Sequence, residues 1–158
     1  MENPDQSARR LSVSVVLYNS PLDLLQRNLR SLQRSALLAQ SSSRLGRVDV
    51  YIIDNSIDPE RREGAREFVS QWTAEEAFAL HYEAQPENGG FGAGHNSVIA
   101  RLDSEYHLIL NPDVELSEET LLVGLSTLEE DRGIALVSPR VAGDDGRQEF
   151  LCKRYPSV

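Results

Sequence analysis

Asn88-Gly89-Gly90-Phe91-Gly92-Ala93-Gly94-His95-Asn96, then Tyr106-His107-Leu108-Ile109-Leu110, then Asn111-Pro112-Asp113-Val114-Glu115, is the stretch whose reading decides the fold. A glycine-rich turn leads into a helix pattern, and an apolar run of strand length comes after it. That run stops at carboxylates. Gly90, Gly92 and Gly94 permit positive φ or close approach of a ligand, and the start of the following helix can aim free N–H groups at an anion. If Asp113-Val114-Glu115 is extended, both carboxylates project to one face and can share a hard divalent ion with a bound diphosphate. A purely structural turn and a polar strand end leading into a helix are the competing readings of the same residues.

Outward from that stretch, strand and helix patterns alternate. Leu11 to Tyr18 is an apolar, valine-rich run of the kind buried on both sheet faces. Asn19-Ser20-Pro21 offers a cap and a first-turn proline, and Leu22, Leu25, Leu29, Leu32 and Ala36 then recur at helical spacing. Arg27, Arg30 and Arg34 fall on another face of that helix. Val48 to Ile53 predicts a second strand ending at Asp54-Asn55-Ser56, and Asp58-Pro59-Glu60 opens a helix to about Trp72 with Ala65, Phe68, Val69 and Trp72 inward. Phe78 to Tyr82 is a third strand. Ala93 to Leu102 is a helix touching the core through Val98, Ile99 and Leu102. Tyr106 to Leu110 is the fourth strand, Ser117 caps a helix through Glu130, Ile134 to Val137 is a fifth strand, and Gly143-Asp144-Asp145-Gly146 is a turn.

This order gives an α/β fold, a mostly parallel sheet with helices on both faces. Ligands on such sheets lie at the carboxyl ends of the strands. Four features converge there: Tyr18-Asn19, Asp54-Asn55, the glycine turn, and Asn111 to Glu115. A dinucleotide fingerprint is excluded, because Gly90-Phe91-Gly92-Ala93-Gly94-His95 lacks the last glycine and comes after the third strand rather than the first. No lysine sits beside the turn, so it is not a P-loop. Asp54, after four apolar residues, can accept hydrogen bonds from a base or ribose, or can cap its own turn.

Composition narrows the class. With 40% apolar and 26% charged residues, 158 residues suffice for one globular domain but not comfortably for two. The net charge of −9 is uneven. Residues 1–47 carry seven arginines against three acids, and the remainder nine basic residues against 22 acidic ones. An acidic body argues against a broad nucleic-acid surface. The single cysteine, Cys152, permits no intramolecular disulfide and fits a reducing compartment. It has no histidine partner in the sequence, and His81, His95 and His107 show no metal-ligand spacing. No apolar run approaches the roughly 18–20 residues of a spanning helix, and Met1 to Arg10 reads as a flexible leader too polar for a signal peptide. Lys153 and Arg154 could close over phosphates or lie on the surface.

Taken together, these blocks resemble glycosyltransferase family 2 with the GT-A fold, and within it the rhamnosyltransferase-like group. Ser12 to Ser20 is similar to the family's opening strand and turn, and Val50 to Ser56 to its second strand. Asn88 to Asn96 and Leu110 to Glu115 are the most specific matches, and Leu136 to Arg140 and Cys152 to Pro156 are similar to the family's subsequent blocks. The resemblance covers residues 11–158, read as the nucleotide-sugar-binding part of a GT-A domain, with an apparent truncation after it.

The resemblance implies inverting transfer of a sugar, rhamnose being one candidate, from a dTDP- or UDP-activated donor. The acceptor would be a glycan or a lipid-linked glycan of cell-surface polysaccharide assembly. Tyr18, Asn19, Asp54, Asn55, Gly90, Phe91, Gly92, Gly94, Asn96 and Asn111 would then bind the donor. Asp113, with Glu115, would hold Mg2+ or Mn2+; Asn111 stands where the family's Asp-x-Asp motif usually begins. The catalytic base is expected beyond Val158, and Asp144, Asp145 and Glu149 are poor substitutes. The resemblance also implies a cytoplasmic setting, with room for peripheral contact at the inner membrane face and for self-association through an exposed sheet edge. The alternatives are a truncated chain that binds nucleotide-sugar without turnover or only folds, and an unrelated nucleotide-binding regulator.

Overall fold

The computed structural model describes residues 9–72, 77–143 and 145–149. Asp144, Cys152, Lys153, Arg154 and the leader up to residue 8 lie outside the described residues. The chain divides into two compact units, Met1–Leu122 and Val123–Val158.

The first unit is built on β1 (Arg9–Leu17), α1 (Leu22–Ser41), β2 (Leu45–Asp54), α2 (Pro59–Gln71), β3 (Phe78–Ala84), α3 (Phe91–Ile99) and β4 (Tyr106–Leu110), and holds the start of α4 (Thr120–Glu130). The four strands form one parallel sheet in the order β3-β2-β1-β4. Successive connections step from β1 outward to β3, and the chain then returns to the other side of β1 for β4. Right-handed crossovers therefore put α1 and α2 on one face and α3 on the opposite face. The direction reverses between β1 and β4, which is where ligands of open α/β sheets lie.

Each strand alternates between two different environments. Leu11, Val13, Val15 and Leu17 of β1 and Val48, Val50 and Ile52 of β2 are buried and belong to the α1/α2 face. Leu25, Leu29, Leu32, Ala36 and Ala39 of α1, with Ala65 and Val69 of α2, complete that core. On the α3 face the intervening residues include Ser12, Ser14, Tyr51 and His107, and the buried apolar cluster reduces to Val16, Ile53 and Val98, flanked by Tyr51 and Leu102.

Several sequence expectations need adjusting. β1 starts at Arg9 because the ladder to Leu45 and a two-pronged Arg10–Asp103 ion pair, both bonds 2.8 Å, carry the strand past its apolar run. Pro21 is itself the N-cap of α1, extended at φ −61° and ψ 133°, with no side-chain cap. Asp58 caps α2 as expected, accepting from the N–H groups of Glu60 and Arg61. Ile99 is exposed rather than in contact with the core, since α3 ends there. α4 begins at Thr120, and the Ser117 hydroxyl meets Thr120 Oγ1 at 2.8 Å instead of capping backbone N–H groups.

In the second unit, α4 runs on to Glu130 and the Asp131 carboxylate accepts from Gly133 N–H at 2.8 Å to turn the chain. The expected strand Ile134–Val137 does not form. An apolar run becomes a strand only when a neighbouring ladder takes its N–H and C=O groups, and no local pattern supplies one. Among the described residues the strands there are β5 (Val141–Ala142) and β6 (Gln148–Glu149), an antiparallel pair around the turn that includes Gly146 at φ 74°.

Candidate functional site

A cleft of about 600 Å³ opens between the carboxyl ends of β1 and β4, lined by Val16, Tyr18, Asn19, Ser20, Pro21, Leu24, Phe91, Asn111, Pro112 and Asp113. The β1 exit, the glycine turn and the segment after β4 thus meet at the point where strand order reverses. Tyr18 and Phe91 are both about half exposed and present aromatic surface to it.

The β1 exit is held in shape by its neighbours. Asn19 sits at φ 50°, a left-handed conformation that asparagine tolerates better than most residues. Its N–H donates to Ser56 Oγ at 2.8 Å, and its carbonyl accepts from Arg61 at 3.0 Å. Arg62 donates to the carbonyls of Ser56 and Gln85, tying the β2 exit to the β3 exit. The first turn of α2 therefore fixes three strand ends. The Asn19 Oδ1 is buried without a partner, as is Asn55 Oδ1.

The glycine turn enters α3 through Gly90, at φ 86°, whose N–H donates to Asn88 Oδ1 at 2.9 Å. Gly94 N–H makes the first helical bond to Gly90 C=O. No side chain caps the helix, so the first-turn N–H groups of Phe91, Gly92 and Ala93 remain for water or a ligand. Gly94 serves packing instead. A Cβ there would stand 2.8 Å from Val16 Cγ2, so only glycine lets α3 lie this close to β1.

After β4 the chain turns instead of staying extended, with Val114 N–H reaching Asn111 C=O. Asp113 and Glu115 consequently do not share a face. Asp113 lines the cleft, while Glu115 is drawn to Arg27 at 3.4 Å. The turn rests on a buried polar row of α1. Asn28 Nδ2 donates to the carbonyls of Asn111 and Val114, Ser31 Oγ accepts from Leu116 N–H at 3.0 Å, and Ser35 Oγ accepts from Leu121 N–H at 3.0 Å. Sequence reasoning missed this row. Its signal was polar residues at spacings of three and four beside the leucine stripe, which read as an ordinary boundary of an amphipathic helix.

Of the residues expected at a donor or its metal, Tyr18, Asn19, Phe91, Asn111 and Asp113 come together in the cleft, while Gly90 and Gly92 adjoin Phe91 in sequence without lining it. Asp54, Asn55, Gly94, Asn96 and Glu115 are not among its lining residues. Asp54 is fully buried, its carboxylate accepting from Ser56 N–H at 2.8 Å and from Tyr82 Oη at 2.7 Å. Burial and that carboxylate together hold the Tyr82 phenol well above its ordinary pKa. Asn55 Nδ2 donates to Gly90 C=O at 3.0 Å, so it supports the turn from below. Asn96 is exposed.

A divalent ion fits this site only as one shared with a ligand. Among the described residues no group of three or more His, Cys, Asp or Glu side chains converges. Asp113, with the neighbouring Asn111 amide, supplies hard oxygen donors, which suffices for an ion whose remaining positions are filled by phosphate and water.

The fold and site are those of an open parallel α/β sheet with a cleft at its strand-order reversal, and comparison with known proteins specifies the class. The family model described as glycosyl transferase family 2 matches residues 12–157. The chain belongs to glycosyl transferase family 2. It is 29% identical over 105 residues, 64% of its length, to the low-salt glycan biosynthesis hexosyltransferase Agl10 of Haloferax volcanii, covering 31% of that protein. Two of the solved structures that share its fold illustrate the likeness. One is S. aureus TarS 1-349, with TM-score 0.56 and 21% identity over 77% of this chain and 32% of that one. The other is the mannosyltransferase PcManGT from Pyrobaculum calidifontis in complex with GDP-Man and Mn2+, with TM-score 0.61 and 18% identity over 80% of this chain and 34% of that one. The chain therefore spans about a third of the length of each. Among the described residues no helix is long and apolar enough to cross a membrane.

Proposed function

We propose that this chain forms the donor-binding part of an inverting glycosyltransferase that takes a dTDP- or UDP-activated sugar, rhamnose among the candidates. The acceptor would be a glycan or lipid-linked glycan at the cytoplasmic face of a membrane. One observation carries the reading: the uncapped start of α3, through Phe91, and the Asp113 carboxylate border a single cleft at the reversal of strand order. The N–H groups of Phe91 to Ala93 suit a diphosphate, since backbone donors at a helix start favour negative charge. Tyr18 and Phe91 offer surface for base and sugar, and the unpartnered Asn19 Oδ1 offers an acceptor for a ribose hydroxyl or base N–H. Asp113 with Asn111 would hold Mg2+ or Mn2+ against the diphosphate, neutralising charge on the leaving group. The Mn2+ and GDP-Man carried by the mannosyltransferase neighbour support a donor of this type.

Titration calorimetry with dTDP and UDP, with and without Mn2+, tests the proposal. Metal-dependent binding that Asp113→Ala abolishes is the expected result. Binding that ignores both the metal and the substitution, or no binding, overturns it. A binding-only role has one observation in its favour: among the described residues that line the cleft Asp113 is the single carboxylate, and transfer needs a base for the acceptor hydroxyl. Donor consumption measured with a glycan acceptor separates turnover from binding.

A further inference from the structure

The α3 face of the sheet contains a continuous hydrogen-bonded chain that the donor reading leaves unused. Ser104 Oγ lies 2.7 Å from Ser12 Oγ, which lies 2.8 Å from His107 Nδ1. His107 Nε2 lies 2.8 Å from Ser14 Oγ, and Ser14 Oγ lies 2.7 Å from His95 Nδ1. The chain passes from the loop before β4, through β1 and β4, into the middle of α3. His95 is only 3% exposed, and its Nε2 is buried without a partner. One helical turn above it, Phe91 packs edge-on against its ring at 4.3 Å and lines the cleft.

The arrangement couples the protons along the chain and leaves two patterns. Ser14 has one hydroxyl hydrogen and two imidazole nitrogens to serve, so it donates to one ring and accepts from the other. With both rings neutral, either His95 Nδ1 or His107 Nε2 carries hydrogen, and the bond between His107 and Ser12 then takes its direction from that choice. The apolar support for α3 is slight by comparison. Gly94, His95 and Val98 are its buried residues, and the cluster around Val98 has only Val16 and Ile53 as its other buried members.

We propose that this serine–histidine chain is the anchor that sets α3, and with it the uncapped glycine turn and Phe91, against the donor diphosphate. Ser12, Ser14, His95 and His107 are then positioning residues of the cleft. The assignment rests on the donor reading above.

Burial holds both imidazoles below the ordinary histidine value, and for His95 the neighbouring His107 adds to the effect. Other charged groups on this side are matched among themselves. Asp49 is held by Arg47 and His81, Glu83 by Arg101, and Arg10 by Asp103 and the Glu105 carboxylate at its N–H. The anchor is therefore complete at neutral pH. Because the folded values lie below the unfolded one, its contribution is full above about pH 6.5 and is lost as pH falls through the folded values.

The test combines amide hydrogen exchange with nucleotide titration on the full chain and on Ser14→Ala and His107→Gln. The second variant alters a half-buried edge position and serves if the first does not fold. At pH 7, after correction for intrinsic rates, the amides of Gly94 to Ile99 should exchange at least tenfold faster in the variants, with α1 unchanged. Wild-type protection should fall toward that of the variants as pH is lowered from 7 to well below the ordinary histidine value, and its Mn2+-dependent affinity for UDP or dTDP should fall with it. Unchanged α3 protection in the variants, or protection independent of pH, overturns the anchor. Wild type and variants binding nucleotide equally well overturns its role at the cleft alone. Wild type that binds no nucleotide overturns the donor reading and this assignment with it.

Discussion

The two faces of the sheet use alternate residues of the same strands and solve the same problem differently. Toward α1 and α2, β1 and β2 offer Leu11, Val13, Val15, Val48, Val50 and Ile52, all essentially without exposed surface. Toward α3, the same strands offer Ser12, Ser14, Asp49 and Tyr51, and β4 leaves Ile109 53% exposed. A twenty-residue helix with eight buried residues covers the first face, and a nine-residue helix with three covers part of the second. Non-directional burial stabilises the first face. The second depends on hydrogen bonds whose geometry and protonation must be right. The segment that borders the cleft is thus carried by the weaker and more specific face, where local opening is expected to start.

The contrast can be broken most severely on the apolar face. Leu29→Ala, at a position with no exposed surface, should cost about 2–5 kcal/mol in urea unfolding, because the close-packed site cannot collapse around the cavity. Gly94→Ala attacks the other face by pushing α3 off Val16, at about 1–3 kcal/mol. A loss of that size limited to α3 amides sharpens the comparison, whereas uniform loss across α1 erases it. Asn28→Ala removes two bonds to the turn carrying Asp113 and should cost about 1–2 kcal/mol. Its metal-dependent nucleotide affinity should fall even where the chain remains folded. Acidification from pH 7 to well below the ordinary histidine value should lower the melting temperature modestly through His95 and His107, and Ser14→Ala should flatten that dependence. Smallest is Glu83→Gln, which breaks a half-exposed pair with Arg101 and should change stability by about 0–1 kcal/mol in the same unfolding assay.

Periodicity made most of this fold legible. The run Tyr106 to Leu110 forms the strand it predicts, residue for residue, and Asp58-Pro59-Glu60 opens α2 as its capping chemistry requires. The run Ile134 to Val137 failed because strand identity belongs to a pair of segments. Within the cleft, Tyr18, Phe91, Asn111 and Asp113 could be anticipated from their places at strand ends. Glu115 could not, because the expectation assumed an extended backbone and the chain turns at Asn111. Asp54 looked available from sequence, yet Ser56 and Tyr82 enclose it.

The sequence by itself determined local features: which runs bury on one face or two, where caps and turns fall, and which residues stand at strand ends. These arise from the short-range periods of 2 and 3.6 residues and from hydrogen bonds to near neighbours. The tertiary structure alone decided the long-range pairings. It set Asn28 beneath the Asp113 turn, Arg61 and Arg62 across three strand exits, and Ser14 between two histidines separated by twelve positions. Such contacts depend on strand order and register, and the residues that make them are individually ordinary.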